Sequence, residues 1–381
     1  DARRVDVAGK YVMPGLVDVH AHIGTGSNGI TPNTHWGFLA NLAFGVTTMH
    51  DPSNDTHLVF SASELLKAGD MVGPRLYSTG TILYGAEGSF KAVTTSYEEA
   101  LSHLRRMQAV GAFSVKSYNQ PRRDARQQIV EAARSLGMMV VPEGGSTFFF
   151  NMTHVLDGHT GLEHNIPVQP LYNDVLSLMA AGRTWYTPTL IVNYGGLNGE
   201  FFWYQESEVW KHERLRHFTP DAVLDARARR RVMAAPEDYT YVGVARDAKA
   251  LLDRGVQVQI GAHGQIQGIG AHWETWMLQQ GGMTNHEALR AATLHGAEYL
   301  GLDGDIGSLQ VGKLADLLVL DADPLADIRN STSIRYVMLN GRLFDAATMA
   351  QLGNHPMPAP APSWKGISST EALTHSHDGG H

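Results

Sequence analysis

Short apolar runs alternate with amphipathic segments along most of this 381-residue chain. Runs with the length of buried strands occupy residues 12–22, 45–50, 74–79, 112–116, 138–141, 160–164, 185–190 and 256–260. Apolar residues recur with helical spacing between them, as in 35–44, 123–136, 241–254 and 285–300. Because strands that alternate with helices form parallel sheets, this α/β pattern of eight strands predicts a (β/α)8 TIM barrel.

An open, doubly wound sheet is the alternative architecture. It requires a phosphate-binding glycine loop of the Gly-x-Gly-x-x-Gly type after the first strand. Gly24-Thr25-Gly26 follows that strand, but His22 stands where the turn should begin and no helix pattern starts there. The barrel therefore remains the favoured prediction.

Segments on both sides of the barrel predict a smaller unit. We expect a small flanking β-sandwich built from residues 1–14 and 305–345. The barrel is expected to occupy 15–304, and a largely disordered tail 346–381. Within the sandwich, 306–321 is expected to form two short strands and 334–342 a hairpin-like pair. The tail is rich in Pro, Ser, Gly and His, so its histidines would bind metal only adventitiously: His375, His377 and His381.

Composition excludes several classes of function. The formal net charge is -8 and no basic stripe is present, so nucleic acid is not expected as a partner. The absence of cysteine excludes disulfides, thiolate metal sites and a cysteine nucleophile. No apolar run approaches the length of about 18 residues that a membrane span needs. A soluble protein is expected, and the choice between cytoplasm and a periplasmic or secreted location stays open.

The first apolar run ends in two histidines, His20 and His22. Residues i and i+2 of a strand point to the same side, so both imidazoles aim at one point where the strand ends. This arrangement can hold a divalent metal at the mouth of a parallel barrel. The alternative is a pair of half-buried structural histidines, and the apolar run before the pair favours the metal.

Further polar residues stand at the ends of later strands. Lys116 ends the fourth strand, Glu143 follows the fifth, His164 ends the sixth and His263 follows the eighth. The carboxyl ends of barrel strands form the face where barrel active sites are built. We therefore predict that these four residues surround the His20-x-His22 pair.

Each of these positions also has a structural interpretation. The Lys116 amine can simply reach solvent, and Glu143 can accept a hydrogen bond from a histidine N–H without touching metal. His164 competes with His154 and His159, which we assign to a loop or the surface. The set of positions is more specific than any one member.

The connection between the seventh and eighth strands, residues 191–238, is unusually long and aromatic. A long insertion on this side of a barrel lies over the active-site face, so Tyr194 and Trp203 are candidate substrate contacts. The alternative is a helical excursion with its own small core. The basic run Arg227–Arg231 is expected to be a solvated helix face, with an anionic-substrate site as the alternative.

The chain resembles members of the amidohydrolase superfamily. The resemblance covers nearly everything from Val12 to Arg342 and rests on five stretches: Pro14–His22, Gly45–Thr48, Leu162–His164, Ala288–Thr293 and Gly312–Leu317. It is strongest to imidazolonepropionases and prolidase-like amidohydrolases, especially to members fused behind an N-terminal TolB-like β-propeller. A longer precursor with such a propeller is therefore expected, as is association into a homo-oligomer.

The resemblance implies a binuclear metal centre, with zinc as the expected ion and one or two ions per chain. His20 and His22 would bind the more buried metal, and His164 would bind the second. Lys116 matches a lysine that CO2 carboxylates in many members, and its carbamate would bridge the metals. A metal-activated hydroxide would then hydrolyse an amide or cyclic amide C–N bond of a small molecule.

Two positions depart from the family pattern. The fifth strand normally supplies a histidine ligand, where this chain has Glu143, and the eighth normally supplies an aspartate, where it has His263. Glutamate also binds zinc, and histidine can act as a general base near neutral pH. Both are therefore predicted as metal ligands and catalytic groups. His272 and Glu274 either orient His263 or pack locally.

Two other functions stay open. A prolidase-like dipeptidase needs a cation for the substrate carboxylate, and Arg122 or Arg123 would supply it. A weakly catalytic, metal-bearing binding or scaffold domain is the alternative of another class, because the eighth-strand aspartate is missing. Mutation of His263 with assays on amides and dipeptides separates these possibilities.

Overall fold

The computed structural model describes residues 4–26, 28–145, 147–229, 231–362 and 364. In this part the fold is α/β, as predicted. The strands are β1 Tyr11–Pro14, β2 Leu16–Asp18, β3 Val46–Asp51, β4 Arg75–Ser78, β5 Ile82–Tyr84, β6 Lys91–Val93, β7 Ser114–Tyr118, β8 Met139–Pro142, β9 Gly161–Glu163, β10 Trp185–Thr187, β11 Leu317–Leu320, β12 Ile334–Leu339, β13 Arg342–Asp345 and β14 Gln351–Leu352.

Helices separate most of the central strands. They are α1 Trp36–Ala43, α2 Thr56–Ala68, α3 Tyr97–Ala109, α4 Arg123–Ser135, α5 Phe148–Asp157, α6 Asn173–Gly182, α7 Gly199–Glu206, α8 Glu213–Phe218, α9 Asp221–Arg229, α10 Tyr241–Asp253, α11 Ile269–Gln280, α12 Asn285–Ala291 and α13 Leu294–Tyr299. Short 3-10 helices cover Val209–Lys211, Pro236–Asp238 and Ile328–Thr332.

The central strands pair in parallel in three groups. The orders are β2-β3-β4, β6-β5-β7-β8 and β10-β9. All six residues of β3 are buried, which is expected for a parallel strand covered on both faces. The helices around them carry ordinary end signals: the Asp55 side chain accepts a hydrogen bond from Leu58 N at the start of α2, and Gly69 ends it at φ 82°.

Isolated bridges and single hydrogen bonds connect these groups. A parallel bridge between Glu143 and Glu163 joins the end of β8 to β9. A second one, between Tyr186 and Val258, joins β10 to the eighth predicted strand, which otherwise lacks a regular ladder. Val19 N then donates to Ile260 O at 3.2 Å, which ties this segment to the chain after β2.

The last predicted helix, 285–300, is wrong as one continuous element. The structure has α12 and α13 instead, separated at Ala292 and Thr293. Thr293 has φ -134° and ψ -83°, and its hydroxyl donates to Leu289 O at 2.7 Å. This side-chain bond to the backbone offers an alternative to the helical ladder, so the helix ends there and a new one begins.

A five-stranded antiparallel sheet lies beside the parallel strands, in the order β1-β11-β12-β13-β14. As predicted, an N-terminal strand and C-terminal strands build it together, with Val12 opposite Val319. Arg75 of β4 connects the two parts, because its guanidinium lies 2.7 Å from Asp316 Oδ2. The described residues give one sheet here, whereas the sequence predicted a sandwich.

Some predicted boundaries shift in this sheet. Only β11 forms within 306–321, where two strands were expected, and β12 with β13 forms the expected hairpin. β14 pairs with β13 inside the segment assigned to the tail. The three tail histidines, His375, His377 and His381, lie outside the described residues. Among the helices that are described, none has both the length and the apolarity to cross a bilayer.

Candidate metal centre

His20 and His22 bring two ring nitrogens together just past β2. Their Nε2 atoms lie 3.1 Å apart. Two nitrogens bound to one tetrahedral zinc ion, each at 2.0–2.1 Å, are separated by about 3.3 Å, so this spacing fits two ligands on one ion. The strand itself ends at Asp18, earlier than predicted, but the alternation of an extended chain still places both rings on one side.

Glu143 is the meeting point of a second group. Its Oε2 lies 2.7 Å from Lys116 Nζ, and its Oε1 lies 3.0 Å from His164 Nε2. Both nitrogens are buried, so one carboxylate joins the Lys116 amine and the His164 ring away from bulk water.

His263 completes the first group through an unusual backbone conformation. It lies in the left-handed region at φ 59°, and its N–H donates to His20 O at 2.7 Å. The ring centroid of His263 is 4.7 Å from that of His22, 5.2 Å from that of His20 and 5.0 Å from that of His164. A non-glycine residue in this region is strained by roughly 1–3 kcal/mol, a cost often found at functional sites.

The side chains form two overlapping sets of possible ligands. Among the residues described, His20, His22 and His263 form one set, and His20, Glu143 and His164 the other, with the ligand atoms of each set within 4.8 Å of one another. All five lie at or just beyond the carboxyl ends of parallel strands. Imidazole and carboxylate are the donors that zinc and similar divalent ions prefer, so the residues present fit such ions.

Burial favours the neutral form, which binds metal, in three of the imidazoles. It lowers the pKa of His20 and His263 well below the usual histidine value and also lowers the pKa of His164. Burial alone would raise the pKa of Glu143, but the neighbouring His164 and Lys116 hold it well below its usual range. The site therefore offers neutral nitrogens and a carboxylate at neutral pH.

Glu163 contacts the ring of His20 on the side away from His22, a role that was not predicted from the sequence. Its Oε2 lies 2.5 Å from His20 Nδ1, and Oε1 accepts from Tyr299 at 2.7 Å and Thr187 at 3.3 Å. Burial raises the pKa of Glu163 to about 7. The stretch Leu162–His164 contains this residue, but a buried carboxylate next to a predicted ligand has no signal of its own in the sequence.

The other predicted ligands have comparable supports. Thr189 Oγ1 lies 2.6 Å from His164 Nδ1, and Asp51 Oδ1 lies 3.3 Å from His22 Nδ1. These contacts occupy the Nδ1 atoms and leave Nε2 of each ring facing the centre. A histidine ligand usually has such a partner, because it fixes the tautomer and the orientation of the ring.

The structure places the three predicted substrate contacts in different surroundings. Tyr194 lies in the site: its hydroxyl donates to Glu143 Oε1 at 3.0 Å and its ring stacks on His164 at 4.4 Å. Trp203 is instead 1% exposed and packs against Trp273 in the core, so it has no face for a substrate. Arg122 is exposed and pairs with Asp124, so the structure does not bring it to the site.

Other candidate residues serve the packing. His272 bonds to Phe44 O and Ser331 Oγ, and Glu274 accepts from Leu190 N and Ile191 N, so both pack locally. His154 and His159, expected in a loop or on the surface, are buried together with their ring centroids 4.6 Å apart, His154 in α5 and His159 in the loop after it. Neither belongs to the two ligand sets found among the described residues.

The basic run after the seventh strand is only partly solvated. Arg227 has a side chain that is 19% exposed and lies 3.4 Å from Glu200 Oε2, so its prediction as a solvated residue is wrong. Arg231 lies over the Trp210 ring at 4.8 Å. Trp203 and Tyr204 of the insertion are buried in the main apolar core, where both contact Trp273.

The chain belongs to the Amidohydrolase family, which matches residues 11–344. This confirms the resemblance that the sequence motifs indicate.

Matches to curated proteins are shorter. A 5'-deoxyadenosine deaminase from Methanobrevibacter smithii is 47% identical over 47 residues, which are 12% of this chain and 11% of that protein. A 5-methylthioadenosine/S-adenosylhomocysteine deaminase from Syntrophobacter fumaroxidans is 31% identical over 116 residues, 24% and 26% of the two chains. The matches thus span between a tenth and about a quarter of these relatives.

Solved structures extend the likeness over most of the chain. A Xaa-Pro dipeptidase with bound methionine aligns with a TM-score of 0.66 and 20% identity, over 88% of this chain and 87% of that one. Phenylurea hydrolase B aligns with a TM-score of 0.66 and 21% identity, over 94% and 90% of the two chains. These likenesses show a shared fold.

Proposed function

We propose that this chain is a metal-dependent hydrolase that cleaves the C–N bond of a small amide or cyclic amide. The observation that carries the proposal is the convergence of four imidazoles, a carboxylate and a buried lysine at the ends of parallel strands: His20, His22, His164, His263, Glu143 and Lys116. Membership of the Amidohydrolase family supports the reaction class.

The proposal includes a closed (β/α)8 barrel as the scaffold. The three parallel groups, the two isolated bridges and the hydrogen bond from Val19 to Ile260 connect the strands in a circuit that returns to β2. The only step of this circuit without a pairing in the described residues is between β4 and β5, which the chain itself connects, and β5 then pairs with β7. A closed barrel would direct all strand ends to one mouth.

We assign His20, His22 and His263 to one divalent ion and Glu143 and His164 to a second, with zinc as the expected metal. Ions held there lower the pKa of water and polarise a carbonyl oxygen. Lys116, 1% exposed, is proposed to be carboxylated in the loaded protein. Without metal its ammonium balances the Glu143 carboxylate at 2.7 Å, whereas two anions at that distance would require cations between them.

Glu143 is the proposed proton-transfer group, whereas His263 is assigned to the ion, because one imidazole lone pair cannot both bind a metal and accept a proton. Both side chains face the same space between the strand ends, one as a carboxylate and the other as a neutral imidazole. Tyr194 would orient the substrate. Burial raises the pKa of the Tyr194 phenol, so its hydroxyl remains a hydrogen-bond donor at neutral pH and can turn from Glu143 to a substrate oxygen.

A prolidase-like dipeptidase is the second candidate. One structural neighbour is a Xaa-Pro dipeptidase, which supports including such substrates. The cation for a substrate carboxylate is not supplied by Arg122 or Arg123, because they pair with Asp124 and Asp157. Hydrolysis of an amide or cyclic amide is therefore the preferred function.

The test is a substrate panel with the zinc-loaded protein. It contains linear amides, cyclic amides and Xaa-Pro dipeptides, each assayed with wild type, His263→Ala and His263→Asp. We expect hydrolysis of at least one amide class, lost in His263→Ala. Hydrolysis of nothing in the panel would support the scaffold reading, and full activity in both variants would remove His263 from the chemistry.

A further inference from the structure

His263 is connected to the long insertion by a chain of three side chains. Its Nδ1 lies 3.3 Å from Gln265 Oε1, and Gln265 Nε2 donates to Glu200 Oε1 at 2.9 Å. Glu200 Oε2 in turn lies 3.4 Å from Arg227 Nη1. Glu200 belongs to α7 and Arg227 to α9, so two helices of the insertion terminate this chain.

The chemistry of these groups allows only one arrangement of hydrogens. A carboxylate only accepts, so the amide of Gln265 must direct its NH2 toward Glu200 and its carbonyl toward His263. The carbonyl can only accept as well, so the hydrogen of the neutral His263 ring lies on Nδ1. The lone pair, through which an imidazole binds an ion, is then on Nε2.

The carboxylate form of Glu200 is supported by its surroundings. Burial raises the pKa of this carboxyl, whereas Arg227 and the side chains of Gln265 and Asn198 favour its ionised form. Glu200 is 5% exposed, so bulk water does not compete for these bonds. It also lies in the first turn of α7, where the helix dipole favours an anion.

The backbone fixes Glu200 in place. Gly199 begins α7 directly against the end of the seventh-strand segment: Gly199 N donates to Leu190 O at 3.2 Å, and Glu200 N donates to Ile191 O at 3.1 Å. A Cβ on Gly199 would lie 2.5 Å from Leu190 O. Only glycine permits this approach, so the first turn of α7 and its carboxylate are built at a set distance from the site.

We infer that Gln265 is a positioning residue for His263, and that Glu200 and Arg227 of the insertion set its amide so that the His263 ring presents Nε2 to the metal site. This inference rests on the proposed function, since it assumes that His263 binds metal. The insertion, predicted to lie over the active-site face and contact substrate, thereby acquires a different role: it determines the tautomer of the residue that replaces the family's aspartate.

The test measures zinc affinity by chelator competition and needs no substrate. Gln265→Met keeps the length of the side chain and removes both hydrogen bonds. We expect it to weaken the tighter-bound zinc about 10- to 100-fold, the usual effect of losing a partner of a metal-bound histidine. The paired substitutions Glu200→Gln and Gln265→Glu exchange carboxylate and amide, keep an acceptor on Nδ1 of His263, and should restore affinity to within about threefold.

Gln205→Met is the matched control. Gln205 lies in the insertion and, like Gln265, is a half-buried glutamine. Its Oε1 accepts hydrogen bonds from Ala234 N and Tyr239 OH, so its replacement should leave zinc affinity unchanged. His263→Ala separates the two claims. If it weakens zinc while Gln265→Met does not, the positioning inference is overturned and the metal site stands. If His263→Ala also has no effect, the assignment of His263 as a ligand fails.

Neutron diffraction from crystals of the metal-free wild type provides a readout that does not depend on the variants. We expect a deuterium on Nδ1 of His263 and none on Nε2. A deuterium on Nε2 alone would overturn the inference, whatever the affinities of the variants.

Discussion

The Nδ1 atom of His20 lies 2.5 Å from Oε2 of Glu163, and both side chains are fully buried. This contact fixes the ring whose other nitrogen faces His22 at 3.1 Å. His20 belongs to both sets of possible ligands, so its orientation affects both ion positions. Glu163 is therefore the support on which the geometry of the centre depends most.

Replacement of Glu163 by Gln should weaken metal binding about 10- to 100-fold, because the amide can turn either its carbonyl or its NH2 toward His20 Nδ1 and the tautomer of the ring is no longer fixed. The measurement is zinc affinity by chelator competition. Glu274→Gln is the matched control: it is equally buried, but it accepts from Leu190 N and Ile191 N away from the metal site. Equal zinc affinity in wild type and Glu163→Gln would show that this contact is only structural.

Lys116 should carry a carbamate in the zinc-loaded protein. Preparation with 13C-labelled bicarbonate is expected to give a protein-bound carbamate signal by NMR, absent in Lys116→Arg, because a guanidinium is not a nucleophile at this pH. Lys249→Arg serves as a control, since Lys249 pairs with Asp253 and Glu287 outside the site. An identical spectrum for wild type and Lys116→Arg would leave Lys116 as the ammonium partner of Glu143.

Removal of the Tyr194 hydroxyl should affect the reaction and leave metal content unchanged. Tyr194→Phe keeps the ring that stacks on His164 and removes one hydrogen bond to a charged group, worth about 1.5–3 kcal/mol, or about 10- to 150-fold in kcat/KM. Tyr241→Phe removes a hydroxyl that contacts Gln280 elsewhere and should have no such effect. Unchanged kinetics of Tyr194→Phe would exclude the hydroxyl from substrate binding.

His272 should contribute to unfolding at low pH. Burial lowers the pKa of His272 to about 4 from 6.5, although the hydrogen bond to Phe44 O favours the charged ring. The folded state thus binds fewer protons than the unfolded state between these values, and stability is lost as the pH falls from about 6.5 to about 4, by up to about 3 kcal/mol.

The check is the free energy of unfolding of metal-free protein against pH, compared between wild type and His272→Gln. The variant should have a shallower dependence in this window, whatever its absolute stability. The exposed His286 provides the control substitution, His286→Gln, which should follow the wild-type curve. Parallel curves for wild type and His272→Gln would contradict the assignment.

The sequence allowed the main candidate ligands to be proposed because their positions follow from local pattern. Lys116, Glu143, His164 and His263 each end or follow an apolar run, and parallel strands bring such ends to one edge. Arg122 was misassigned because proximity in sequence to Lys116 says nothing about the direction of an exposed side chain at the start of α4. The sequence indicates where a residue stands along a strand, but it does not indicate where the side chain of a loop residue points.

Contacts between distant segments could not be predicted from the sequence, for a different reason. Glu163 meets His20 across 143 positions, and Glu200 meets Gln265 across 65 positions, so both depend on how the strands and the insertion pack. Trp203 was misassigned because an aromatic residue has the same pattern in a pocket wall and in a core. His263 likewise combines its left-handed conformation with a hydrogen bond from its N–H to His20 O, a contact between distant segments.

Metal analysis of purified protein tests the central claim most directly. Wild type loaded with zinc in the presence of bicarbonate and then freed of loosely bound metal should retain close to two ions per chain. A folded variant with His20→Ala and His22→Ala should retain at most one, because the set that also contains His263 loses two of its three ligands. A wild type that retains no metal, or a variant that retains as much as wild type, would contradict the account.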